Sequence, residues 1–145
     1  MQIAHIDHLN LSVADLDASV DWYGRVFGFQ AVEQGEYAGS PWKILRSGEA
    51  LLCLYEHPER RLLDSDALGG EGVHGLSHFG LRVRDPEAWE ETVSREGLEV
   101  LYGGVVQWPA SRSWYVLDPT GYEIEVGCWN GDRVEFGGRR ANVAG

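Results

Sequence analysis

A strand-sized pattern that occurs twice constrains this chain more than any other feature. His8, Leu11, Val13 and Asp15 recur, shifted by 70 residues, as His78, Leu81, Val83 and Asp85, four identities within an eight-residue window. The residues after each copy agree as well. Residues 15–26 and 85–95 read as amphipathic helices, each opened by an aspartate placed as an N-cap, with Pro86 suited to a first helical turn. Gly28-Phe29 and Gly97-Leu98 then stop each helix and open a strand. Trp22 and Trp89 take matched places on the two helices and are assigned to helix-on-sheet packing. Further strands are predicted over residues 29–34, 42–46 and 51–55, and again over 99–102, 113–117 and 122–128. Each half is thus βαβββ, and the fold class is α+β. Module one covers about residues 1–56, a polar linker with Pro58, Arg60-Arg61 and a Gly-rich run covers 57–73, and module two covers 74–130. The Gly- and Arg-bearing tail, 131–145, is expected to fray or add a late edge segment.

At 145 residues the chain is one domain, long enough to bury a core without staples. Its 43% apolar and 24% charged residues exclude a disordered or fibrous chain. Twelve basic residues stand against twenty-three acidic ones, and the sole lysine is Lys43, so no cationic stripe exists to neutralise phosphates; nucleic acid is excluded as a partner. No apolar stretch approaches the roughly 18 residues of a membrane span, and no basic n-region precedes an apolar run. A cytoplasmic protein without a membrane partner is expected. Cys53 and Cys128 lie far apart in apolar company, with no zinc spacing, and are read as two small buried hydrophobes.

Alternation along the strands sorts the side chains. Leu9, Leu11 and Val13 share one face of the first strand, and Ile6, His8, Asn10 and Ser12 the other. Phe79, Leu81 and Val83 likewise oppose His78, Gly80 and Arg82, and Tyr122, Ile124 and Val126 oppose Glu123, Glu125 and Gly127. The apolar faces should pack on the helices. The polar faces must be solvated or must curl around a site. His8, His78 and Glu125 are two imidazoles and one carboxylate, the donor set of non-haem iron sites, which zinc and manganese also accept. Two readings stay open on these residues alone: three separately solvated side chains, or a reactive divalent-metal site.

The pattern His8-Leu9-Asn10-Leu11-Ser12-Val13 with Asp15-Leu16, Trp22-Tyr23 and Phe27-Gly28-Phe29, then His78-Phe79-Gly80-Leu81-Arg82-Val83, then Tyr115, Asp118-Pro119-Thr120-Gly121 and Tyr122-Glu123-Ile124-Glu125, resembles the vicinal oxygen chelate superfamily. That group includes glyoxalase I, bleomycin resistance proteins, extradiol dioxygenases and fosfomycin resistance enzymes. The resemblance covers about residues 5–128. It implies two βαβββ modules forming a curled mixed sheet, a cup or half-barrel with helices on the outer face, and a homodimer. By position it makes His8, His78 and Glu125 the metal ligands. The position of a fourth ligand found in some members holds Cys53, with Glu56 three residues on, which favours three ligands.

Ser12 stands where glyoxalase-like members carry an arginine, and no histidine precedes Tyr115 where ring-cleaving enzymes have one. The resemblance implies a divalent-metal-dependent enzyme whose small-molecule substrate chelates the ion through two oxygens. Dioxygenase-type, extradiol-like chemistry leads, with Fe2+ favoured and Mn2+, Zn2+ or Ni2+ accepted. The alternatives are a glyoxalase, isomerase, lyase or thiol-transferase of the fosfomycin resistance kind, and a metal-free ligand-sequestering protein of the bleomycin resistance type. Tyr115 is the expected catalytic hydrogen-bond donor. His74 is either an exposed side chain or a proton carrier, and His5 and His57 are assigned to the surface. Arg82 and Arg112 are the candidate anion contacts, Arg82 alternatively pairing with Glu123. Some of Trp42, Trp108, Trp114 and Trp129 should line the cup and suit an aromatic ligand.

Overall fold

The structure is a computed structural model that describes residues 5–73, 75–132 and 135–136. His74 and most of the tail from residue 131 lie outside the described residues. The chain divides into two compact units, Met1–Ser77 with Leu117–Tyr122, and His78–Val116 with Glu123–Gly145. The Asp-Pro-Thr-Gly turn of the second half therefore belongs to the first unit.

In the first unit β1 (Leu9–Val13) leads into α1 (Leu16–Phe27), followed by β2 (Gln30–Tyr37), β3 (Ser40–Ser47) and β4 (Ala50–Glu56). The sheet order is β1-β4-β3-β2, with β1 parallel to β4 and the other pairs antiparallel. The second unit repeats this with β5 (Phe79–Arg82), α3 (Pro86–Glu96), β6 (Val106–Gln107), β7 (Ser111–Leu117) and β8 (Glu123–Trp129) in the order β5-β8-β7-β6. The tandem βαβββ organisation is thus realised as two four-stranded mixed sheets, in an α+β fold.

The expected helix signals operate in both copies. The Asp15 carboxylate accepts from Ala18 N and the Asp85 carboxylate from Ala88 N, satisfying otherwise unpaired amides at each helix start. Gly28 and Gly97 end the helices at φ 69° and 62°, a region that costs glycine little. Helix α1 packs against β2, β3 and β4. Leu11, Val13, Leu52 and Leu54 supply the buried side of that sheet, and Phe79, Ile124 and Val126 supply it in the second unit.

Several expectations need correction. Residues 99–102 form no strand. Leu101 N donates to Tyr115 O, but Tyr102 has φ 57° and is followed by Gly103 and Gly104 at φ 77° and 115°, which breaks any extended run. The linker contains a short helix, α2 (Ser65–Gly70), capped by Asp64 accepting from Ala67 N. Trp22 and Trp89 are not at matched positions. Counted from the capping aspartates, Trp89 aligns with Ser19, and both are buried, so one copy has a large side chain at the position where the other has a small one. Trp22 is half-buried and packs edge-on to Tyr23 and Phe27. The two free cysteines are half-buried, not fully buried. His57 is not a surface residue: its Nδ1 lies 2.8 Å from Ser40 Oγ, and its ring stacks on Tyr55.

The Leu117–Tyr122 turn is held by Asp118, which is buried. Its Oδ1 accepts from the amides of Thr120, Gly121 and Tyr122, each at 2.9 Å, and its Oδ2 accepts from the Tyr23 hydroxyl at 2.8 Å. Burial pushes the Asp118 carboxyl above its ordinary range, against the pull of those donors. Burial, then the Asp118 charge, raises the Tyr23 phenol far above its ordinary value.

Candidate functional site

The strand registers assign a face to every candidate. In the first unit Leu11 pairs with Leu54 and Asn10 with Cys53, so Asn10, Ser12, Cys53 and Tyr55 share the face away from the buried leucines. In the second unit Leu81 pairs with Val126 and Gly80 with Glu125, which puts Glu123, Glu125 and Arg82 on the corresponding face. The division expected from alternation therefore holds in each unit. The registers also make Cys53 the counterpart of Glu125, since Asn10 and Gly80, their partners, are equivalent in the repeat. Glu56 takes no part: it lies on the helix side, and its Oε2 accepts from Leu16 N at 2.8 Å.

In the second unit His78, Glu125 and Tyr115 converge. His78 Nε2 lies 3.2 Å from Glu125 Oε2, and Ser113 Oγ donates to Glu125 Oε1 at 2.6 Å. The hydroxyl thus holds one carboxylate oxygen and directs the other toward the imidazole. On the far side of that ring, His78 Nδ1 lies 3.6 Å from Glu123 Oε1, while Glu123 Oε2 accepts from the Tyr102 hydroxyl at 2.6 Å. Tyr115 meets His78 edge to face at 5.8 Å and Tyr102 likewise at 5.1 Å. Burial, then the adjacent Glu125, raises the Tyr115 phenol above its usual value, which extends to higher pH the range in which it is a donor.

His8 belongs to the first unit and precedes β1. Its Nδ1 is hydrogen-bonded to Asp7 Oδ2 at 2.7 Å, and that bond holds the Asp7 carboxyl below its ordinary range. Each candidate imidazole therefore has a carboxylate facing Nδ1, the arrangement that orients a ligating histidine and leaves Nε2 for an ion. Among the described residues neither unit contains by itself a group of three or more His, Cys, Asp or Glu side chains arranged to hold a metal. The donor chemistry of the His78–Glu125 pair nevertheless suits a divalent ion: an imidazole nitrogen and a carboxylate oxygen side by side, each with a second partner.

The remaining candidates separate. The Arg82 guanidinium lies 4.8 Å above the Trp129 ring and Arg112 lies 5.6 Å above Trp114, so both proposed anion contacts sit on indoles. Glu123 is engaged by His78 and Tyr102, and the expected pairing with Arg82 does not form part of that cluster. Trp114 is buried on the core side and Trp108 packs edge-on to Phe136, whereas Trp129, also edge-on to Phe136, lines a cavity of about 220 Å3 with Arg82 and Glu125. Trp42 does reach the polar face of the first unit, stacked on Tyr55 at 6.2 Å. It lies across Gly35, where a Cβ would come within 2.6 Å of the indole Cζ2.

Sequence reasoning missed Ser113, Glu123 and Tyr102 as supporting groups, and Asp7. The spacing of Glu123, two residues before Glu125 on one strand face, was a usable signal. Nothing local marks Ser113, because its partner lies on another strand. The reading of residues 57–73 as linker also missed a cavity of about 490 Å3 in the first unit, bordered by Arg60, Arg61, Ser12 and Tyr122.

The model of the Glyoxalase/Bleomycin resistance protein/Dioxygenase superfamily matches residues 5–126. A catechol-2,3-dioxygenase of Bacillus subtilis is 26% identical over 126 residues, which are 84% of this chain and 40% of that protein. The chain thus spans well under half the length of that relative. Among solved structures, a glyoxylase/bleomycin resistance protein/dioxygenase domain from Frankia sp. EAN1pec superposes with a TM-score of 0.75 at 19% identity, covering 91% of this chain and 96% of that one. A fosfomycin resistance protein variant from Listeria monocytogenes, in complex with Mn(II) and dihydroxypropylphosphonic acid, gives a TM-score of 0.68 at 16% identity over 88% and 94% of the two chains. At those identities the likeness shows the fold. No helix among the described residues is long and apolar enough to cross a membrane.

Proposed function

The chain belongs to the Glyoxalase/Bleomycin resistance protein/Dioxygenase superfamily, and on that premise we propose that it is a divalent-metal-dependent enzyme acting on a small molecule bound through two oxygens, with extradiol-like dioxygenase chemistry in first place. The proposed ligands are His8, His78 and Glu125, with Fe2+ the favoured ion and a homodimer the proposed assembly. The observation that carries this reading is the His78–Glu125 pair, with its 3.2 Å separation and both side chains steered from behind. When bound, the ion would supply Lewis-acid activation of an oxygen-rich ligand and, as iron, a means of using dioxygen.

The protein's own groups have defined parts. Ser113 holds Glu125 in one rotamer by its 2.6 Å hydrogen bond, which lowers the entropy lost when the carboxylate engages a ligand. Glu123, 3.6 Å from His78 Nδ1, places negative charge behind the ring and helps to orient it. Tyr115, a protonated phenol beside Glu125 and His78, donates to a substrate oxygen on which negative charge develops.

A second reading, sequestration of a flat ligand without catalysis, draws on the Trp42–Tyr55–His57 stack of the first unit. Elemental analysis of protein purified anaerobically without chelators, beside His78→Ala, separates the two. Near-stoichiometric iron lost in the variant supports the dioxygenase reading and leads to catechols with oxygen uptake as readout. Zinc, nickel or manganese moves the assignment to isomerase, lyase or thiol-transfer chemistry. Failure to bind any divalent ion on reconstitution leaves sequestration.

A further inference from the structure

The first unit contains a second cavity-forming arrangement that involves none of the proposed metal ligands. Arg60 and Arg61 line the cavity of about 490 Å3, and Leu62, Leu63, Leu68 and Leu76 line it too. That volume falls within the roughly 300–1,000 Å3 of small-molecule sites. Its chemistry is two-sided. The chain carries a net charge of -11, yet two adjacent guanidiniums are concentrated here. Arg60 approaches Ser12 Oγ at 3.4 Å and Glu59 Oε1 at 3.9 Å, both long contacts that leave most of its five donor hydrogens for another acceptor. Arg61 is exposed at the same rim. Four leucines in a stretch otherwise rich in polar residues are unexpected in a mere connector, and Leu76 remains 43% exposed.

The wall that carries these residues is anchored. His57 is tied to Ser40, and Asp64 caps the short helix after the arginines. Gly121, at φ 99°, sits so close to Asp64 that a Cβ there would fall 2.7 Å from the Asp64 Cβ. Gly75 is equally close to Leu68, where an added Cβ would lie 2.9 Å from Cδ1. A cavity assembled from such tight contacts is largely pre-formed, which reduces the ordering cost of binding.

We propose that this cavity binds a small amphipathic organic acid, its carboxylate bridging Arg60 and Arg61 and its short hydrocarbon body lying among the leucines. A guanidinium pair recognises a planar carboxylate through paired N–H donors, which an ammonium or a neutral rim would not match. The head group sets orientation. The leucines set affinity, which should rise about three- to fourfold for each methylene that becomes buried.

The test is calorimetric titration of the full chain with butyrate, hexanoate and octanoate below their self-association concentrations, with 1-hexanol as the neutral control. Expected are saturable one-to-one binding, affinity rising with chain length and falling with salt, and weak binding of hexanol. In Arg60→Gln/Arg61→Gln the octanoate affinity should fall about tenfold or more, with an unchanged circular dichroism spectrum. Leu68→Asn should blunt the chain-length dependence while leaving the salt dependence, and His78→Ala should change neither, which keeps this site's failure separate from that of the metal reading. Hexanol binding as well as hexanoate, an unaltered octanoate affinity in the double arginine variant, or no saturable binding of any acid would each overturn the proposal.

Discussion

The two halves share a scaffold and differ in what they mount on it. Asp15 and Asp85 cap their helices through the same amide, and Asn10–Cys53 and Gly80–Glu125 are the same step of the same parallel strand pair. Yet the first face carries a thiol and an aromatic stack where the second carries two carboxylates, an imidazole and a phenol. Backbone pairing and capping depend on a few positions, which duplication preserves. Side chains on the open face bear little of the core, so each copy is free to specialise.

The sharpest way to break that asymmetry is to remove Glu125. Glu125→Ala should weaken divalent-metal affinity by at least about 100-fold, beyond what supporting partners typically cost, whereas Cys53→Ala at the equivalent position should leave it within about twofold; titration calorimetry on the two variants reads the contrast. Next comes Tyr23→Phe, which strips the buried Asp118 Oδ2 of its donor and should destabilise the first unit's turn by about 1–3 kcal/mol in chemical denaturation. The same residue predicts an alkaline signature. Its folded-state phenol lies above the ordinary value of 10.0, so its stabilising contribution is complete below pH about 10 and is lost as pH rises further. The wild-type Tm should therefore fall steeply above pH 10, and the Tyr23→Phe curve should be lower at neutrality and flatter there.

Ser113→Ala should cost roughly tenfold in metal affinity with little loss of stability, because it frees a carboxylate rotamer without opening the core. Equal effects on both would mean that Ser113 is structural. The smallest effects belong to what the halves share: Asp15→Ala and Asp85→Ala should each cost about 1 kcal/mol. A large difference between them would show that the two copies no longer rely on the cap equally.

Much of this was legible before any tertiary information. The caps at Asp15 and Asp85, the αL stops at Gly28 and Gly97, and the face occupied by Glu125 all follow from interactions within a few residues or from the period of a strand. The assignments that failed have two causes, a local one for residues 99–102 and contacts outside the immediate sequence for the others. Residues 99–102 carry strand-forming side chains, but the Gly103-Gly104 pair and the left-handed Tyr102 bend the chain away. Of the two readings of Arg82, the pairing with Glu123 is not the one seen: the guanidinium lies over the Trp129 indole, while Glu123 is met by Tyr102 and His78. His57 looked exposed in a polar stretch and is half-buried because Ser40 reaches it from β3 and its ring stacks on Tyr55, at the end of β4.

By itself, then, the sequence determined the duplicated βαβββ plan, the ends of its helices and the sidedness of its strands, since hydrogen-bond geometry and side-chain alternation are local and repeat with the residues that cause them. Only the tertiary structure decided which partners support Glu125 and His78, that Glu56 serves a helix and not a site, and that Arg60, Arg61 and the linker leucines border a cavity. Those outcomes rest on side chains remote in sequence meeting at distances of a few ångströms, and no pattern along the chain encodes which of several compatible partners arrives first.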